Sequence, residues 1–184
     1  MICRQPWSLN VLDVPSQWRG LEEWIVTILD HFKINCNTAL EFGVDYGYST
    51  KVFSQLFQKV IGVDSFERNT CDGKEQDDAF YNEVLNSFAN TNVEIVKARF
   101  EDYINENNQN FYNMIHVDAI HDYDILYPTI RWAVDHSDIT LVHDTMEYRE
   151  VKRACMEIRA EKKLRFLSIP FHCGLGILLK GSIQ

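Results

Sequence analysis

The stretch Leu40-Glu41-Phe42-Gly43-Val44-Asp45-Tyr46-Gly47-Tyr48-Ser49-Thr50 closes an apolar, strand-like run over 38–42, turns on two glycines four residues apart, and opens a helix over 49–58. Glycine tolerates positive φ and leaves no Cβ in the way, so Gly43 and Gly47 suit a close approach of a ligand to the main chain. The amides of residues 47–49, ending at Ser49 near a helix N-terminus, favour a carboxylate or phosphate. Glu41, at the strand end, offers the opposite charge to an ammonium group. Together they describe a pocket for a zwitterion. Asp64 ends the next strand-like run, Val60-Ile61-Gly62-Val63-Asp64, 23 residues beyond Glu41, where a carboxylate can accept both hydroxyls of a ribose. A nucleoside with an amino-acid tail is what this pattern asks for. A dinucleotide turn of the G-x-G-x-x-G type is disfavoured, because Asp45 stands where its second glycine belongs.

Outward from this stretch, strand-like and helix-like patterns alternate. Residues 17–33 place Leu21, Trp24, Ile25, Ile28, Leu29 and Phe32 on one helical face. After the strand over 60–63 comes a polar, turn-rich loop over 64–77 and a helix over about 77–89. Further strands are predicted over 93–96, 111–117 and 139–142, with a helix around 125–135 between the last two. Pro128 is expected in that helix's first turn, since an interior proline costs about 3 kcal/mol. A helix over 147–160 precedes strands over 164–169 and 174–180. Five strand-then-helix units with short apolar strands predict one doubly wound α/β domain over 1–184, a mostly parallel seven-stranded sheet ending in an antiparallel hairpin. Residues 1–35 form a helical cover and 36–184 the core.

Composition narrows the function. The 184 residues hold 18 Lys and Arg against 27 Asp and Glu, a formal charge of −9, which argues against general affinity for nucleic acid or anionic lipid and favours a small-molecule substrate. No apolar run approaches the ~20 residues that span a bilayer, and the opening residues have no continuous apolar core of a leader. Five scattered cysteines without a C-x-x-C pair suit reduced thiols, so a cytoplasmic location is expected, with a homodimer left open. The cations of residues 150–165, interleaved with glutamates, read as a solvated helix face. Trp7, Trp18 and Trp24 read either as a lid or as pins for the N-terminal segment.

A second constellation follows the fourth and fifth strands: Val117-Asp118-Ala119-Ile120-His121-Asp122-Tyr123 and Leu141-Val142-His143-Asp144-Thr145. Both strand ends face the crevice of such a sheet, so Asp118, His121, His143 and Asp144 are expected to converge. An imidazole with an ordinary pKa of ~6.5 can take a hydroxyl proton, which makes His121 the favoured general base with His143 in support. Carboxylate oxygens suit Mg²⁺ or Ca²⁺, and the histidines also admit Mn²⁺, Fe²⁺ or Zn²⁺.

EFGVDYGYST, the acid ending the second strand, DAIHDY and HD together resemble the class I S-adenosylmethionine-dependent methyltransferases. Within them the pattern looks most like the small O-methyltransferases related to catechol O-methyltransferase and to macrocin-type sugar methyltransferases. The resemblance covers about 38–180 and implies a Rossmann-like methyltransferase fold. It implies that Glu41, Gly43, Gly47 and Ser49 lie around the methionine group and Asp64 on the ribose, with Arg99, Phe100, Glu101 and Asp102 flanking the adenine and Asp118 beside the cofactor. It also implies Asp118 and Asp144 as ligands of Mg²⁺ or another divalent cation, with His143 or Thr145 supporting. The activity implied is methyl transfer from S-adenosylmethionine to a hydroxyl of a small acceptor, a sugar or other vicinal diol. Two other readings stay open on the sequence: a non-catalytic S-adenosylmethionine or nucleoside binder, and a metal-dependent enzyme without a methyl donor.

Overall fold

A computed structural model describes residues 9–118 and 121–181. The chain runs α1 (Glu22–His31), β1 (Thr38–Phe42), α2 (Tyr48–Leu56), β2 (Lys59–Asp64), α3 (Asp78–Ser87), β3 (Val93–Lys97), α4 (Phe100–Glu106), β4 (Tyr112–Val117), α5 (Tyr123–Asp135), β5 (Ser137–His143), α6 (Arg149–Lys162), β6 (Arg165–Ile169) and β7 (Leu175–Leu179). The seven strands form one sheet in the order β3-β2-β1-β4-β5-β7-β6. All pairs are parallel except β7, which is antiparallel to both β5 and β6. The doubly wound sheet with its C-terminal hairpin is as expected.

Side-chain alternation along the strands builds two cores. Leu40, Phe42, Ile115, Val117 and Val142 face α4, α5 and α6. Ala39, Val60, Met114, Ile139 and Leu141 face α1 and α2, and each fully buried chain larger than alanine contributes roughly 1.5–3 kcal/mol. A smaller cluster of Val44, Phe66, Phe80, Val84, Phe88 and Ile95 seats α3. On the α1/α2 face, the apolar rows change character towards the strands' carboxyl ends: Ala39 is followed by Glu41, Met114 by His116 and Asp118, and Leu141 by His143. Glu41 pairs in register with His116, and the Asp118 amide donates to the Phe42 carbonyl at 2.8 Å. The chain winds outward through β2 and β3 and returns to place β4 beside β1, and the crevice opens at that reversal.

Three local expectations are corrected. Residues 17–20 form a turn, and α1 starts only after Gly20, whose φ is +92°. Its buried stripe is Leu21, Ile25, Ile28 and Leu29, so Trp24 falls at the stripe's edge and is 43% exposed. Pro128 lies not in the first turn of α5 but at its sixth residue, because Asp122 caps the helix by accepting from the Asp124 amide at 2.9 Å and so starts it at Tyr123. The carbonyl that proline leaves unpaired is that of Asp124, an exposed first-turn residue, while the Thr129 hydroxyl donates to the next one, Ile125, at 2.8 Å. The short helix α4 was not expected; only Phe100 and Tyr103 of it are buried. Trp7 lies outside the described residues. Among those described, no helix is long and apolar enough to cross a membrane.

Candidate active site

A cleft of about 650 Å³ lies at the carboxyl ends of β1, β2, β4 and β5. Its floor is the glycine turn, where Gly43, Asp45 and Gly47 all take positive φ (92°, 50° and 82°). Gly43, Ser49 and Asp64 line the cleft, as do Phe100 and Glu101 at the start of α4. The Asp64 carboxylate holds the turn in place: Oδ2 accepts from the amides of Val44 (2.9 Å) and Asp45 (3.1 Å), and Oδ1 from Phe66 (3.0 Å). A carboxylate has roughly four acceptor positions, so about one remains for a ligand hydroxyl, not the two expected. Gly47 is absent from the cleft lining; a Cβ there would sit 2.6 Å from the Phe88 ring, so this glycine serves α3 packing and the left-handed entry to α2.

Glu41 lies beneath the cleft rather than on it. It is fully buried, with Oε1 accepting from the Ser49 hydroxyl at 2.5 Å and lying 2.9 Å from His116 Nδ1, while Oε2 accepts from the Thr50 hydroxyl. The direct meeting with an ammonium group is thereby corrected: Glu41 reaches the cleft through Ser49.

The second constellation does converge. His143 Nδ1 lies 3.4 Å from Asp118 Oδ1 and 3.1 Å from Asp144 Oδ1, and His121 Nε2 lies 2.7 Å from Asp144 Oδ2. The His121 ring stacks on Tyr148, centroids 3.5 Å apart. Burial disfavours the charged form of His143, but Asp118 and Asp144 outweigh it and push its pKa up to about 10. Its two carboxylate neighbours thus favour the protonated form of His143, which suits a charge partner to them better than a base. Burial works the other way on Asp118 and Asp144, yet His143, with His121 at Asp144, holds both carboxyls below the usual range. Asp144 takes φ +64°, an uncommon conformation for a residue with a side chain, of the kind that gathers at functional sites.

Donor atoms of Asp118, His143 and Asp144 lie within 4.8 Å of one another, and Asp144 Oδ1 is buried without a hydrogen-bond partner. Two hard carboxylates side by side, one with an oxygen whose near neighbour is the His143 imidazole, fit a divalent cation. The Thr145 hydroxyl lies towards β6, 3.5 Å from that of Ser168, and Thr145 is not among the residues lining the cleft.

Sequence reasoning missed several walls of the cleft. Pro15, Ser16 and Gln17 cover one side, beside Trp18, a tryptophan already read as lid or pin, whose ring lies 6.0 Å from that of His143. Asp45 closes another, accepting from the Cys71 amide (3.2 Å) and the Gln76 side chain (3.3 Å), and burial raises its pKa. It pins the 64–77 loop across the glycine turn, which no local pattern could announce because the partners are 26 and 31 residues away.

Residues 40–145, more than half of the chain, match a family described as a methyltransferase domain. No curated protein matches it. Among solved structures it is similar to the methyltransferase PaMTH1 of Podospora anserina bound to S-adenosylhomocysteine (SAH), at 12% identity over 92% of this chain and 80% of that one, TM-score 0.68. It is likewise similar to an O-methyltransferase from Bacillus cereus in complex with SAH, at 14% identity over 95% and 86%, TM-score 0.67. A candidate caffeoyl-CoA O-methyltransferase from Staphylococcus aureus gives 16% identity over 93% and 86%, TM-score 0.64. With the glycine turn, the acid after β2 and the acid–histidine cluster on one crevice, the chain belongs to the methyltransferase-domain family, as a class I S-adenosylmethionine-dependent methyltransferase.

Proposed function

We infer that the protein moves a methyl group to a hydroxyl of a small acceptor, a sugar or another vicinal diol. The observation that supports this most is the continuity of one cleft from Gly43 and Asp64 to Asp118, His121 and Asp144. When bound, S-adenosylmethionine supplies an electrophilic methyl on a sulfonium, open to in-line displacement by an oxygen. The chain's own contribution is alignment and proton handling. First-turn amides of α2 orient the carboxylate of the donor's tail, Asp64 takes a ribose hydroxyl, and Phe100 and Glu101 flank the base. His121 takes the acceptor's proton on Nδ1, because Nε2 is engaged by Asp144 and the ring is fixed by Tyr148. Asp118 and Asp144 would hold Mg²⁺ or a similar cation, its charge replacing that of the His143 proton between them, and the cation would lower the pKa of the acceptor hydroxyl.

A small-molecule acceptor also suits the acidic chain. We place the protein in the cytoplasm, in keeping with Cys71, Cys155 and Cys173, none of which forms a disulfide.

Methyl-labelled donor offered with a panel of diols, with and without a chelator, tests this reading. Label should appear on a diol, and the chelator should slow its transfer until Mg²⁺ is restored. SAH binding without transfer to any hydroxyl would reduce the protein to a binder, and transfer indifferent to chelation would remove the cation from the scheme.

A further inference from the structure

One buried pair beneath the cleft has no part in that scheme. His116 stands on β4 in register with Glu41 on β1, its Nδ1 2.9 Å from Glu41 Oε1, and both side chains are fully buried. A buried carboxylate is costly unless donors surround it. Glu41 has three: His116 on one side, Ser49 and Thr50 on the other. The two hydroxyls belong to the first turn of α2, whose N-cap Gly47 has no side chain to cap it. Glu41 thus ties the start of α2 to the sheet. Because the Ser49 proton is committed to Glu41, only lone pairs of its oxygen remain for the cleft. The His116 ring is flanked edge-to-face by Trp18 and Phe53 (centroids 4.8 and 5.3 Å), so it cannot swing from Glu41 without opening the core.

We propose that His116 is a positioning residue for the amino-acid end of the methyl donor: by fixing Glu41 it sets the place and the polarity of Ser49 and the first turn of α2. The proposal rests on reading the cleft as the donor site, and adds a residue that touches neither donor nor acceptor. An apolar side chain would fill the space, as Met114 and Leu141 do on the same face. What it would lose is the N–H that aligns the carboxylate.

Two ligands sharing the adenosine but differing in the tail provide the test: SAH carries the amino-acid end and 5′-methylthioadenosine lacks it. Calorimetric titration of both is run on the wild type, His116→Leu and His116→Gln. His116→Leu should weaken SAH about tenfold, the order expected when a hydrogen bond to a charged group is lost, and leave methylthioadenosine within about twofold. His116→Gln, which keeps an N–H donor, should recover most of the loss. Equal weakening of both ligands, or a lower melting temperature with both affinities intact, overturns the proposal. Should His116→Leu fail to fold, His116→Met, which puts on this face the side chain that Met114 already has there, carries the same comparison. A wild type that binds neither ligand would instead remove the reading of the cleft itself.

Discussion

Asp144 is the residue on which the reaction cluster turns. One oxygen orients His121 and the other faces His143, so the two imidazoles share a single carboxylate. Replacing His121 with alanine should cut turnover by ~10²–10⁴ while leaving the KM for the methyl donor unchanged, measured by steady-state kinetics with each substrate varied. An unchanged turnover number would displace His121 as the base. His143 yields a prediction about stability. Its pKa rises on folding from an ordinary 6.5 to about 10, burial opposing and Asp118 and Asp144 prevailing, so the folded state binds the proton more tightly. That stabilisation is complete below pH 6.5 and is lost as pH climbs to about 10. Melting temperature should therefore fall across this window, and His143→Gln should flatten the fall. Equal slopes in the two proteins would show that the cluster does not couple to folding.

Elements place these residues, and two of them do so through steric detail. Gly47 enters α2 at φ +82° with the Phe88 ring 2.6 Å from where a Cβ would stand. Gly47→Ala should cost about 1–3 kcal/mol in denaturant unfolding, from strain and overpacking together. A neutral effect would mean that the helix start can shift freely. Trp18, nearly fully buried ahead of α1, packs on Phe53, His116 and His143. Trp18→Ala should destabilise by about 3–5 kcal/mol and weaken SAH binding, since the segment from Pro15 to Trp18 walls the cleft. Strands β1, β2, β4, β5 and β7 were legible because their apolar rows bury on both faces, and β1, β2 and β7 lie within a residue or so of where the pattern puts them. Helix edges were not: Asp122 and Gly20 set them through caps and turns that periodicity does not register. Helix α4, with two inward residues, is too short to show a period.

At the scale of the molecule, doubly wound topology alone brings Asp118, His121, His143 and Asp144 together, and their expected convergence rested on that topology. What the sequence concealed was depth. Glu41 and Asp64 both end strands, yet one is sealed under Ser49 and Thr50 while the other faces the cleft, and only packing against the next helix separates them. His116 was legible in principle, since alternation puts Met114, His116 and Asp118 on one face of β4, but a lone histidine in an apolar strand gives no sign of a partner 75 residues away. Titration calorimetry with S-adenosylhomocysteine on wild type and Asp64→Ala tests the central claim most directly. One-to-one binding by the wild type, weakened at least about tenfold in the variant, is the predicted result, a threshold equal to the loss of one charge-assisted hydrogen bond. No heat of binding in the wild type, or equal affinity in the two proteins, would contradict it.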